Sequence, residues 1–400
     1  MSGSDATASP RRVLCVEGTG SCTGGAEMML DELVHRVDTG RFSVVVASLK
    51  QGPWPNRLRE EGIRVSVVPQ TRWRDLRNVF RVVRELAEVV RREQIELVHA
   101  SGSAPLLFAT LAAKRARVPV VWMVFDPLSG LSKRRLYTAR RRAIAHLVGA
   151  LHPDFVIFGT DRAEEGTPLR RSTPTEEILP GIDLSRHTNI DGDGNRARRE
   201  LGIDQDAPLL AMFGRLTYLK SQTELLRAMG RIAEVHPKVR AVICGSESDR
   251  QYAARVRALR AELGLEERVL LPGFVTDQLK DDITAAADLV VHLAKRESFG
   301  LAVVESQAAG KAVVAFDASG PRSLIDDGLT GALVPVDDVE RLALVISELL
   351  GDPARRAAMG AAGAAAARAH PIEGMVERIE SVWDRLLGDG RAEGETDRPG

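Results

Sequence analysis

The sequence predicts an α/β protein built from two parallel sheets, each covered by helices. Three observations carry this. Short apolar runs alternate with segments of helical period from residue 12 to residue 316, the pattern of parallel sheets wrapped on both faces. At 400 residues the chain exceeds what one hydrophobic core organises. Between residues 167 and 199, Pro, Thr, Asp, Gly and Asn accumulate, as they do where two domains are joined.

In the first domain (residues 11 to 185) strands are expected at 12–17, 42–48, 63–68, 95–99, 118–124 and 155–158. Helices are expected at 26–37, 56–61, 76–94, 106–115 and, strongly basic, 136–150. Leu76, Val79, Val83, Leu86 and Val90 recur at helical spacing in the third of these. The second domain (186 to 371) repeats the alternation, with strands at 209–213, 240–244, 269–271, 287–293 and 312–316. Its helices are expected at 222–236, 251–263, 277–287 and 301–309, and residues 1–10 and 389–400 read as disordered.

Charge and cysteine usage narrow the setting. Formal net charge is zero, yet residues 1–185 hold 27 Lys and Arg against 21 Asp and Glu, leaving 28 against 34 for the remainder. An acidic partner or membrane surface beside the first domain accounts for this, as do opposite faces of two packed domains. Cys15, Cys22 and Cys244 form no CxxC pair, which suits a reduced compartment. No apolar run reaches membrane-spanning length and the polar start is no signal peptide, so the expectation is a cytoplasmic protein. The segment from Lys133 to Arg142 has six basic residues and no acidic one. It is either solvated helix surface or a patch for an anionic acceptor or peripheral contact with anionic lipid at the inner membrane face. Without interleaved aromatics it does not suit nucleic acid.

The stretch from Glu297 to Ala315 carries the chemistry. A buried strand ends, Phe299 and Gly300 break it, and a short helix opens at Leu301. A helix start just past a parallel strand is an anion site. Glu297 and Glu305 flank it, and carboxylates on both sides of a phosphate suit a ligand with hydroxyls on either side, a nucleotide sugar. Two solvated glutamates around an ordinary helix start would read the same way. Arg215 and Lys220 follow the first strand of this domain, where they would reach the same crevice. Gly24 and Gly25 open a helix after the first strand of the other domain, in a loop without the GxGxxG register of dinucleotide binding. Asp191 and Asp193 are formally a DxD metal motif, but in a polar turn with no buried strand before it, so they belong to the connection. No other His, Cys or carboxylate cluster has metal spacing.

Taken together, Gly24-Gly25-Ala26-Glu27, Gly214-Arg215-Leu216 with Lys220, Glu297-Ser298-Phe299-Gly300 with Glu305, and the run from Ala309 to Ala315 resemble glycosyltransferase family 4, the retaining, metal-independent enzymes of the GT-B fold. The correspondence runs from about residue 11 to residue 388. The resemblance implies two Rossmann-like domains facing across a cleft, no cofactor, and a nucleoside diphosphate sugar, UDP- or GDP-linked, as donor. It implies that Arg215 and Lys220 hold the diphosphate, that Glu305 takes the ribose hydroxyls, and that Glu297 with the amides near Phe299, Gly300 and Leu301 meets donor sugar and phosphate. Gly24 and Gly25 would approach the diphosphate from the first domain, which also receives the acceptor. The last helix, 372–388, would cross back to that domain.

One departure stands out. After the strand at 120–124 the family pattern is His-Asp, where this chain has Phe125-Asp126. Phenylalanine cannot pair a sugar hydroxyl, which implies a donor altered at its outer positions, a ring that simply packs, or impaired transfer. A nucleotide-sugar-binding protein and a sugar-nucleotide epimerase of the same fold are the alternatives.

Overall fold

The computed structural model describes residues 9–22, 24–70, 75–126, 152–160, 163–164, 167, 169–188 and 192–388. The chain divides into two compact units, Met1–Gly181 with Glu373–Gly400, and Ile182–Ile372. The basic segment 133–142 and the helix expected at 136–150 lie outside the described residues.

Unit 1 is built on a seven-stranded parallel sheet. Its strands are β1 (Arg11–Glu17), β2 (Phe42–Ser48), β3 (Arg64–Val67), β4 (Leu97–Ser101), β5 (Val120–Val124), β6 (Phe155–Phe158) and β7 (Thr175–Glu177). They lie in the order β3-β2-β1-β4-β5-β6-β7. Central strands bury both faces, as Val13 to Val16 and Val120 to Val124 show. Unit 2 has six parallel strands, β8 (Leu209–Phe213), β9 (Arg240–Cys244), β10 (Val269–Gly273), β11 (Leu289–His292), β12 (Val313–Phe316) and β13 (Ala332–Val334), ordered β10-β9-β8-β11-β12-β13. In each sheet the order reverses at the first strand, β1 or β8. A crevice opens beyond the C-terminal strand ends at such a reversal, and the loops holding Gly24 and Lys220 follow these two strands.

The last helix, Ile372–Leu387, completes unit 1. Trp383 is fully buried and meets Phe42 edge-on at 5.2 Å and His99 at 5.7 Å. Its indole N–H donates to His99 Nδ1 at 3.2 Å, so the imidazole carries its proton on Nε2. Burial pushes His99 down to about 4, which keeps it neutral in the core. Glu380 Oε1 accepts from the Asp38 backbone at 2.7 Å, and Arg41 reaches Oε2 at 2.7 Å.

Two expectations change. The connection is not irregular throughout, since helix Leu184–Thr188 lies within 167–199 and helix Gly194–Glu200 begins there. Asp193 caps the second, its side chain accepting from Asn195 N at 2.9 Å and Arg196 N at 3.1 Å, the ordinary use of aspartate at a helix start. Beyond residue 316 no element is expected before the last helix. The structure has helices Ser319–Leu324, Val339–Gly351 and Pro353–Ala367 there, besides β13. The Ala- and Gly-rich composition of the last of these hides its periodicity.

Candidate functional site

In unit 2 three segments converge beyond the C-terminal strand ends: the turn after β8, the loop after β11 and helix Asp277–Ala286. The loop after β11 ends at Gly300, whose φ of 111° lies where side chains are strained. Helix Leu301–Ala308 starts immediately after it. Gly320 presses on this loop from behind. A Cβ there would stand 2.2 Å from the Phe299 carbonyl oxygen, and the Gly320 N–H donates to the Glu297 carbonyl at 3.0 Å. Phe299 is buried and meets the His370 ring edge-on at 5.4 Å. Its side chain therefore belongs to the core, and only its backbone faces the helix start.

Both glutamates are ion-paired. Glu297 Oε2 accepts from Lys220 Nζ at 2.5 Å and lies 3.2 Å from His292 Nε2. Burial opposes its ionisation, but the His292 hydrogen bond and the Lys220 charge outweigh it and bring the carboxyl down to about 2. Glu305, 9% exposed, accepts from Lys280 Nζ at 2.6 Å, with His187 Nε2 4.0 Å from its other oxygen. Burial raises its pKa, and the Lys280 and His187 charges and the Lys280 hydrogen bond more than reverse this. Beside Glu305 a small pocket is walled by His187, Phe213, Lys280 and Thr284.

The structure thus brings together Lys220 with Glu297, and Glu305 with the far end of the same short helix. Arg215 lies in the turn after β8 with its side chain exposed, while its carbonyl accepts from Gln222 Nε2 at 3.1 Å. Lys280, His292 and His187 escape the sequence reading. Lys280 is 25 residues from the glutamate it pairs with, so no spacing marks it; a buried-strand histidine five residues before Glu297 is the one local signal for His292.

Ser221, next to Lys220, is strained. It holds φ 57° and ψ 40°, and its buried hydroxyl finds no partner among the described residues. Left-handed backbone and an unpaired buried hydroxyl each cost on the order of 1 kcal/mol or more. Ser221→Gly is therefore expected to stabilise the protein by about 1 kcal/mol after the glycine entropy term, read by urea unfolding; no gain would show that the turn is not strained.

In unit 1, Gly24 caps helix Gly25–Arg36 with extended backbone, and the Glu27 carboxylate folds over it so closely that a Cβ would meet Oε2 at 2.1 Å. The buried Glu17 carboxylate accepts from the Thr19 and Gly20 amides of the glycine loop, so those two amides are committed inward. Phe125 is half-buried at the end of β5, and its ring lies against Gly159, where a Cβ would stand 2.4 Å from Cδ1. Thr160 Oγ1 donates to the Phe125 carbonyl at 3.1 Å, and Asp126 is exposed.

Two family descriptions match nearly the whole described chain. Residues 23–186 match Glycosyltransferase Family 4, and residues 193–366 match Glycosyl transferases group 1. The chain belongs to glycosyltransferase family 4. This family 4 chain is 31% identical over 304 residues to the D-inositol 3-phosphate glycosyltransferase of Nocardia farcinica, covering 73% of this chain and 63% of that one. It is 35% identical over 216 residues to the protein of that name from Thermomonospora curvata, 52% of this chain and 50% of the relative. The matches thus span about half to five-eighths of the curated relatives' length. In fold it is similar to Anabaena Alr3699/HepE in complex with UDP-glucose, with TM-score 0.80, 23% identity, and coverage of 94% of this chain and 100% of that. A glycosyltransferase from Rickettsia africae aligns with TM-score 0.81 at 16% identity, over 95% of this chain and 100% of that. The two parallel-sheet units are those of the GT-B fold. Among the described residues no helix is long and apolar enough to cross a membrane.

Proposed function

We propose that this family 4 chain is a retaining, metal-independent hexosyltransferase. It would move a sugar from a nucleoside diphosphate sugar to an acceptor hydroxyl in envelope glycan, glycolipid or natural-product synthesis. One observation carries the reading: the Lys220–Glu297 pair stands beside a glycine-started helix whose other side holds the buried Glu305–Lys280 pair. Lys220 and the amides at Gly300 and Leu301 supply positive potential to a departing diphosphate, with Arg215 contributing from the turn. As the sugar becomes oxocarbenium-like the leaving group gains charge, so these groups stabilise the transition state more than the ground state. Glu305, its far side held by Lys280, is set to accept the ribose hydroxyls, and Glu297 to meet the donor sugar. The leaving phosphate takes the acceptor proton in a front-face substitution. The same reading gives Gly24 and Gly25 a part in diphosphate binding, and Phe125 and Asp126 a part in recognising the donor sugar. The relatives named for D-inositol 3-phosphate support a phosphorylated or anionic acceptor, and the basic segment 133–142 supports peripheral contact with an anionic membrane on the cytoplasmic face.

Packing of the Phe125 ring onto Gly159 favours a second reading, a nucleotide-sugar-binding protein with impaired transfer. Thermal unfolding against UDP, GDP, ADP and dTDP and their sugars, with and without magnesium, separates the two. Transfer predicts a magnesium-independent rise for one series; at 100 times Kd the stabilisation is about 2.7 kcal/mol. Turnover of the selected donor on inositol phosphate or lipid acceptors supports the first reading, and binding without turnover the second. No shift with any nucleotide refutes both.

A further inference from the structure

Two residues before Glu297, the loop after β11 carries a lysine whose side chain is only 10% exposed. Lys295 Nζ donates to Glu224 Oε1 at 3.0 Å and to Asp337 Oδ1, and stands 4.5 Å from the centre of the Tyr218 ring. Its backbone N–H donates to the Leu219 carbonyl at 2.9 Å. Tyr218 and Leu219 begin the 3-10 turn Tyr218–Lys220, which ends in the site lysine. These two side chains are 57% and 44% exposed, so the hydrophobic core does little to hold that turn. The loop grips it from two directions instead, main chain to Leu219 and ammonium over Tyr218, and anchors it to helix Gln222–Val235 through Glu224. Glu224 is itself buried, with its second oxygen accepting from Thr223 Oγ1 at 2.7 Å.

We infer that Lys295 is a positioning residue for the donor site, fixing the turn that presents Lys220 to Glu297 and to the donor phosphates; the inference rests on the function proposed above. Burial opposes the Lys295 charge, but the Asp337 and Glu224 hydrogen bonds more than offset this and hold the ammonium above the ordinary lysine range. Lys295 is therefore charged at working pH, a fixed electrostatic clamp on a turn whose first two residues are exposed. A displacement of about 1 Å in a charged binding group is enough to lose up to 100-fold in reactivity.

Removing Lys295 alone takes the nearest cation from the buried Glu224 carboxylate, leaving Arg227 at 3.8 Å, and destabilises the fold, so the test needs a second variant. Lys295→Met and Lys295→Met/Glu224→Gln are compared with wild type for thermal midpoint and for affinity toward UDP, GDP, ADP and dTDP by calorimetry. The double variant removes both charges at nearly constant volume and is expected to recover most of the midpoint lost in the single one. Its affinity for the nucleotide bound by wild type is expected to stay at least tenfold weak, because nothing regrips the turn. Recovery of both midpoint and affinity would reduce Lys295 to a structural ion pair and overturn the inference alone. Failure of wild type to bind any of the four nucleotides would overturn the donor reading, and this inference with it.

Discussion

Glu297→Gln is expected to lower turnover of the selected donor by 100- to 1000-fold, the scale of removing one fixed electrostatic group from a reacting centre. The amide keeps the shape of the side chain but removes the charge that holds Lys220 at 2.5 Å and pairs His292 at 3.2 Å. Lys220→Met should fall in the same range, and the double variant little further, since the two residues act as one unit. Steady-state nucleotide release checks this; a loss below tenfold would remove Glu297 from the donor site. The pH dependence has a definite sign. Because the folded carboxyl ionises near 2 rather than at its ordinary 4.5, its contribution to stability is fully present above pH 4.5 and lost as pH falls toward 2. The difference in thermal midpoint between wild type and Glu297→Gln should thus stay flat from pH 8 to 5 and shrink below that.

Gly320→Ala should cost about 3 kcal/mol or more and abolish nucleotide binding. The added methyl would stand 2.2 Å from the Phe299 oxygen, 2.6 Å from its carbon and 3.0 Å from the Glu297 oxygen. All three are backbone atoms, so no flexible side chain can yield. Relief would move the loop that sets the helix start at Leu301. Gly230 in helix Gln222–Val235 is the control: a Cβ there meets nothing within 4 Å, and Gly230→Ala should stabilise by about 0.5–1 kcal/mol. Urea unfolding of both variants measures the contrast; near-equal stabilities would show that the loop after β11 is free to adjust.

Local patterns made the sheets legible, because a strand buried on both faces is an apolar run and the helices between repeat at their own period. Bounds fell close: the helix expected at 222–236 is Gln222–Val235, and the strand at 240–244 is β9. The motif around Glu297, Gly300 and Glu305 was legible for the same reason, since one loop and one short helix hold it. What stayed hidden is non-local. Lys280 meets Glu305, and Lys295 meets Glu224 across 71 residues, through tertiary packing that no spacing encodes. The helix Pro353–Ala367 was hidden by composition, because its alanines and glycines differ too little in polarity to mark a face.

Trp383, which closes the core of unit 1 over Phe42 and His99, lies almost at the end of the described chain. Synthesis therefore delivers this plug after all of Ile182–Ile372 has emerged from the ribosome. Domains ordinarily fold in order of emergence; here the first unit to be made is the last that can be finished. Until the closing helix arrives, Phe42 lacks the ring that covers it in the finished fold.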